Sequence, residues 1–140
     1  MSNSDRLYFA YGANIDPDSM RLRCPAAEAL GEFYLQDWRL AFYSHATVVP
    51  SPGDQVPGVL WRLTPECEAS LDAFEGYPSY YIKTDIEQAG RRFFVYEMTQ
   101  PLRGFPSSGY TQLIARAYPH WGLKQTYLEQ ALNEWRSRGA

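Results

Sequence analysis

Glu75 is the residue of this sequence best suited to moving a proton. It lies in the run Leu71-Asp72-Ala73-Phe74-Glu75-Gly76-Tyr77-Pro78-Ser79-Tyr80-Tyr81, at the last turn of a predicted helix. A carboxylate at the negative end of a helix dipole is disfavoured. An apolar wall of Phe74, Tyr77, Tyr80 and Tyr81 disfavours its charge further, and both effects raise its pKa toward the range useful for general acid–base work. A solvated helix-end carboxylate satisfies the same pattern. Asp72 is too close along one helical turn to straddle a sugar ring with Glu75, which argues against a two-carboxylate glycosidase.

The second candidate is Tyr11-Gly12-Ala13-Asn14-Ile15-Asp16. Glycine followed by small residues lets backbone N–H groups approach a ligand and hold an anion. The Asn14 amide both gives and accepts hydrogen bonds, so it can orient an amide or carboxylate. A plain strand-to-helix turn, with Gly12 present for its backbone freedom, reads equally from these residues.

Composition narrows the classes of chemistry. The chain has 140 residues, 45% hydrophobic and 21% charged, with a net charge of −3. That length and balance predict one compact domain over residues 1–140 with its own core. The acidic balance runs against nucleic-acid binding. No apolar run reaches membrane-spanning length, and Met1–Arg6 lacks the cationic and apolar stretches of a signal peptide, so a cytoplasmic protein is expected. Cys24 and Cys67 stand apart, and His45 is far in sequence from His120, so no metal site is expected. No G-x-S-x-G motif accompanies either histidine. Aromatic residues make up 16%; most suit core positions, and some of the tyrosines suit a small-molecule pocket.

The elements that must position these residues follow from local patterns. Arg6–Tyr11 predicts a buried strand. Asp16-Pro17-Asp18 reads as an N-cap, a first helical position and an acidic first turn, with the helix ending before Cys24-Pro25. Ala29–Leu35 and Trp38–Tyr43 predict two strands joined near Gln36-Asp37. Pro50, Pro52, Gly53 and Pro57 predict an irregular loop between His45 and Pro57, and Gly58–Leu63 a strand. Thr64-Pro65-Glu66 starts a second helix whose core stripe is Cys67, Leu71 and Phe74, stopped by Gly76. Tyr80–Gln88 and Arg92–Met98 predict a hairpin around Ala89-Gly90-Arg91. A loop from Pro101 to Gly109 leads to two helices. Leu113, Ile114, Ala117 and Trp121 mark the first, kinked or ended by Pro119, and Tyr127, Leu128, Ala131, Leu132 and Trp135 mark the second. The sum is an α+β fold of about six strands with helices beside them.

Leu7-Tyr8-Phe9-Ala10-Tyr11-Gly12-Ala13-Asn14 resembles the Y-G-S-N signature of the γ-glutamylcyclotransferases, and Leu71-Asp72-Ala73-Phe74-Glu75-Gly76 resembles their L-D-x-x-E-G segment. Gly58-Val-Leu-Trp, Ser51–Asp54 and Pro106–Tyr110 also fit, in order, over nearly the whole chain. The resemblance implies a small mixed β-barrel with flanking helices and a cofactor-free reaction. In it the α-amine of a γ-glutamyl compound attacks its own γ-carbonyl, giving 5-oxoproline and the released amino acid or amine. It further implies Glu75 as the acid and base, Tyr11, Gly12, Ala13, Asn14, Ile15 and Asp16 as the substrate cradle, and Tyr110 and Tyr81 as further contacts. The implied partner is a small γ-glutamyl molecule, taken up by a monomer or homodimer.

Two details bear on substrate. Glutathione-specific relatives tend to read Y-G-S-L and γ-glutamylamine relatives Y-G-T-L, so Asn14 places the chain nearer the enzymes of γ-glutamyl amino acids. Ala13 stands where the family usually has Ser, removing a hydroxyl. A non-catalytic γ-glutamyl or 5-oxoproline-binding module therefore stays open. So does a cyclotransferase for a specialised γ-glutamyl amine or biosynthetic intermediate. An aromatic platform for single-stranded nucleic acid is opposed by the net charge.

Overall fold

The computed structural model describes residues 5–100 and 106–137. In chain order it has β1 (Arg6–Ala10), a 3-10 turn (Ala13–Ile15), α1 (Pro17–Arg23), β2 (Glu28–Phe42), β3 (Ala46–Leu63), α2 (Pro65–Glu75), β4 (Tyr81–Gln88), β5 (Arg91–Met98), α3 (Ser108–His120) and α4 (Gln125–Ser137). The strands form one sheet in the order β2-β3-β1-β5-β4. β1 is central, antiparallel to β3 and parallel to β5.

The helix boundaries follow local chemistry. The Asp16 carboxylate accepts the Ser19 N–H at 2.9 Å and caps α1, with Pro17 in its first turn. Thr64 caps α2 in the same way through the Cys67 N–H. Gly76 ends α2 at φ 69°, a left-handed conformation that favours glycine. The hairpin between β4 and β5 turns through Ala89 at φ 53° and Gly90 at φ 72°, matching the twist of the flanking strands. Pro119 sits in the last turn of α3, which stops at His120.

The expected barrel of about six strands is corrected on two counts. The sheet among the described residues has five strands, and it is open, with β2 and β4 at its edges. The strands foreseen over 29–35 and 38–43 are one strand, β2, whose register shifts between Gln36 and Trp38, with Asp37 at φ 68° absorbing the irregularity. The foreseen loop before Pro57 is instead the first part of β3, paired from Phe42 against Ala46 to Tyr34 against Pro57. β1 lies along only Val59–Leu63 of β3. The proline-bearing stretch therefore has a ladder partner on one side, a position in which a strand tolerates missing N–H groups. Of the loop foreseen over 101–109, residues 101–105 lie outside the described part, and Ser108 and Gly109 already belong to α3.

The two faces of β1 organise the core. Phe9 packs against Phe33 and Phe93, and Tyr8 stacks on Phe94 with an edge contact to Tyr96. Gly58 lets β3 and β1 approach, since a Cβ there would stand 2.2 Å from the Ala10 carbonyl oxygen. Cys67 and Leu71 anchor α2 on the core, whereas Phe74 is 53% exposed. The last turn of α2 thus projects beyond the apolar stripe and carries Glu75 with it. Trp121 and Trp135 are half-buried against the core, and the Trp121 indole donates to the Ile15 carbonyl at 2.7 Å. No helix among the described residues is long and apolar enough to cross a membrane.

Candidate active site

The end of β1, the 3-10 turn, the β2–β3 turn, the end of α2, and points on β4, β5 and α3 converge on one cavity of about 290 Å³. That is the low end of the range for small-molecule sites. Of the residues expected at a site, Tyr11, Gly12, Ala13, Asn14, Glu75, Tyr81 and Tyr110 line it, together with Tyr8, His45, Ala46, Phe74, Tyr80 and Tyr96.

Glu75 ends α2 at the cavity wall between Phe74 and the Tyr80–Tyr81 pair. Among the described residues its carboxylate has no hydrogen bond and no ion pair. Burial raises its pKa from 4.5 to about 7, opposed by the positive charge of Arg23. Arg23 is held by the Ser19 carbonyl at 3.0 Å and lies over the Phe74 ring. A carboxyl in this state is divided between acid and base near neutral pH, which suits a group that must take a proton and return it.

The remaining polar groups are mostly phenols. The Tyr11 hydroxyl donates to the Tyr96 carbonyl at 2.6 Å, and that of Tyr81 to the Ala46 carbonyl at 2.9 Å. The Ala46 N–H donates to the Tyr110 hydroxyl at 3.1 Å. Asn14 Nδ2 donates to the Tyr8 hydroxyl at 3.1 Å, and Tyr96 donates to Asp72 Oδ1 at 2.7 Å. Burial raises the pKa of every one of these five phenols, and the charge of Glu75 adds to the rise in each. Tyr110 is pushed up to about 12, although the Ala46 bond acts against this. All five are therefore neutral phenols at physiological pH.

Gly12 has φ −119° and ψ −132°, which is neither helical nor extended. What it supplies is space: a Cβ would lie 3.3 Å from the Tyr110 hydroxyl and 3.6 Å from Ala46 Cβ. The first hydrogen bond of the turn runs from the Ile15 N–H to the Gly12 carbonyl. The Ala13 and Asn14 N–H groups precede it and have no partner within the turn. Asn14 Oδ1 is buried without a hydrogen-bond partner among the described residues.

Ile15 and Asp16 are not brought to the cavity. Ile15 is fully buried in the core, and Asp16 is occupied in capping α1. Their expected place in the cradle came from adjacency in sequence, whereas the 3-10 turn rotates them away. Six lining residues were not foreseen as site residues. Phe74 and Tyr80 flank Glu75 in sequence and offered a signal. Tyr8 and Tyr96 sit within aromatic strand runs whose pairing is non-local, and nothing local marks them. His45 is exposed at the rim with its ring edge-on to Tyr110. Among the described residues no group of three or more His, Cys, Asp or Glu side chains could hold a metal ion.

Known proteins resemble this chain over most of its length. A family model described as gamma-glutamyl cyclotransferase, AIG2-like, matches residues 8–118. The gamma-glutamylcyclotransferase of Mus musculus is 34% identical, covering 89% of this chain and 76% of its own length. That of Homo sapiens is 32% identical with the same coverage. A solved structure of a gamma-glutamyl cyclotransferase superposes with a TM-score of 0.77 at 31% identity, over 91% of this chain and 86% of that one. A Bacillus subtilis protein of 21% identity and TM-score 0.74 shares the fold. The chain belongs to the gamma-glutamyl cyclotransferase, AIG2-like, family.

Proposed function

We propose that this family member cyclises γ-glutamyl amino acids to 5-oxoproline, releasing the amino acid without a cofactor, with Glu75 as the single acid and base. The observation that carries the reading is the Glu75 carboxyl, raised to about 7 and without a hydrogen-bond partner among the described residues, in a cavity built on Tyr11-Gly12-Ala13-Asn14. The names of the mouse, human and bovine relatives support it.

The chemistry needs little more. Glu75 takes a proton from the substrate α-ammonium, and the freed amine attacks the γ-carbonyl carbon to close a five-membered ring. The tetrahedral intermediate then collapses: the leaving nitrogen receives the proton from Glu75, the regenerated carboxylate takes the second proton from the ring nitrogen, and that proton passes on to the released amine. Nucleophile and electrophile belong to one molecule, so holding the chain folded back on itself supplies much of the acceleration. The Ala13 and Asn14 N–H groups suit the substrate carboxylate. The Tyr11 and Tyr81 hydroxyls, whose own protons go to backbone carbonyls, offer lone pairs to the ammonium. Tyr110, whose oxygen is taken up by the Ala46 N–H, has a proton to give. Ala13 carries no hydroxyl, so the cradle works through its backbone. The reading includes a cytoplasmic setting and a small-molecule partner alone, taken up by a monomer or homodimer.

Incubation with γ-glutamyl-alanine, following 5-oxoproline by chromatography, tests the reading. Stoichiometric 5-oxoproline and alanine are expected. Tight binding of 5-oxoproline with no product from γ-glutamyl-alanine, glutathione or γ-glutamyl amines would replace it with the binding module.

A further inference from the structure

The five phenols around Glu75 differ in where their protons go. A phenol has one proton to donate, so its existing partner decides what it offers a ligand. Tyr11, Tyr81 and Tyr96 donate to the Tyr96 carbonyl, the Ala46 carbonyl and the Asp72 carboxylate, and are left as acceptors. Tyr8 and Tyr110 are instead acceptors, from Asn14 Nδ2 and the Ala46 N–H, and each keeps its proton. Tyr110 stands beside the exposed ring of His45 at the rim. Tyr8 is 4% exposed, enclosed by the rings of Phe94 and Tyr96.

We propose that Tyr8 is a further catalytic residue, whose hydroxyl donates a hydrogen bond to the γ-carbonyl oxygen as that oxygen becomes negative during ring closure. The assignment rests on the cyclisation reading above and deepens it. Tyr8 and Glu75 line the same cavity, and the charge of Glu75 adds to the effect of burial on the phenol. The substrate α-carboxylate is negative throughout and would be repelled there. The γ-carbonyl oxygen is neutral while Glu75 is charged. It gains charge only after Glu75 has taken the ammonium proton and become neutral.

The step balances without proton transfer from Tyr8. The nitrogen lone pair forms the new C–N bond and the carbonyl π pair moves to oxygen, where the Tyr8 O–H holds it. The pair then returns to re-form C=O, the bond to the leaving nitrogen breaks as that nitrogen takes its proton from Glu75, and the regenerated carboxylate removes the second proton from the ring nitrogen and passes it to the released amine. Burial keeps the Tyr8 phenol protonated throughout, and a fixed donor in a water-poor site is the arrangement that stabilises an oxyanion most.

Tyr8→Phe and wild type are compared on γ-glutamyl-alanine, with thermal melts confirming the fold of each. The expected result is a kcat lower by about 10²-fold with KM nearly unchanged, because the bond strengthens only in the transition state. An unchanged kcat overturns the assignment, as does a loss carried by KM, which would mark a ground-state contact. Wild type that makes no 5-oxoproline defeats the cyclisation reading itself. Should Tyr8→Phe fail to fold, Asn14→Asp decides. There the ring stays and the introduced carboxylate takes up the Tyr8 proton, so kcat must fall similarly, and retention of kcat overturns the proposal.

Discussion

Replacing Glu75 with Gln is expected to remove turnover and, at alkaline pH, to make the protein more stable. Burial holds the Glu75 carboxyl at about 7 in the folded chain against 4.5 for the free group. At about 1.4 kcal/mol per pH unit, the folded state at pH 8 is burdened by about 3 kcal/mol for keeping this carboxylate ionised. The side chain is only partly shielded from water, so about 1–3 kcal/mol is the expected size. The raised folded-state value means that the folded chain holds the proton more tightly than the unfolded one. Wild-type stability is therefore fullest below 4.5 and declines as pH rises toward about 7. An amide is neutral at every pH and escapes that decline. Urea unfolding of both proteins at pH 8 should show the variant with the higher midpoint at equal slope, or a melting temperature higher by about 3 °C per kcal/mol. At pH 5 most of the gap should have closed. A gap of equal size at both pH values, or none at pH 8, would refute the desolvation argument. In the product assay the variant should lose at least about 10²–10⁴-fold in turnover, since an amide cannot carry the proton.

Two further outcomes follow from the same geometry. Arg23 lowers the Glu75 pKa, so Arg23→Gln should move the acid limb of kcat/KM to higher pH by up to about one unit. The rate above that limb should stay within a few-fold, and an unmoved limb in a pH profile would contradict the electrostatic role. At Gly58 a Cβ would meet the Ala10 carbonyl oxygen at 2.2 Å and Phe9 Cζ at 2.6 Å, whereas at Gly53 it would meet nothing within 4 Å. Gly58→Ala should therefore destabilise by about 3 kcal/mol or more, and Gly53→Ala, at φ 86°, by about 1–2 kcal/mol through backbone strain alone. Urea midpoints would rank the two, and a reversed order would sink the close-approach argument.

Much of the local structure was legible in the residues themselves. Asp16-Pro17, Thr64-Pro65 and Gly76 mark helix ends through side-chain caps and dihedral preference, and Ala89-Gly90 marks a hairpin. Each acts within a turn or so of backbone, so no distant partner is needed to read it. The placement of Glu75 at a helix end beside aromatic residues was legible for the same reason. So was the Gly12–Asn14 corner that follows a buried strand.

Only the tertiary structure decided the rest. Pro50, Pro52 and Pro57 read as a loop until β2 lies alongside, while among the described residues the other flank of β3 has no strand partner over that stretch. The open, five-stranded sheet depends on which strands meet, and on one bulge at Asp37 turning two predicted strands into one. Tyr8 and Tyr96 reach the cavity because β1 and β5 pair in parallel across most of the chain. Ala46 decides that Tyr81 offers lone pairs and Tyr110 a proton, from 35 and 64 residues away. Local preference determines backbone conformation, because it acts between neighbours. The solvation of a carboxyl and the direction of a hydroxyl are determined by groups that only folding brings together.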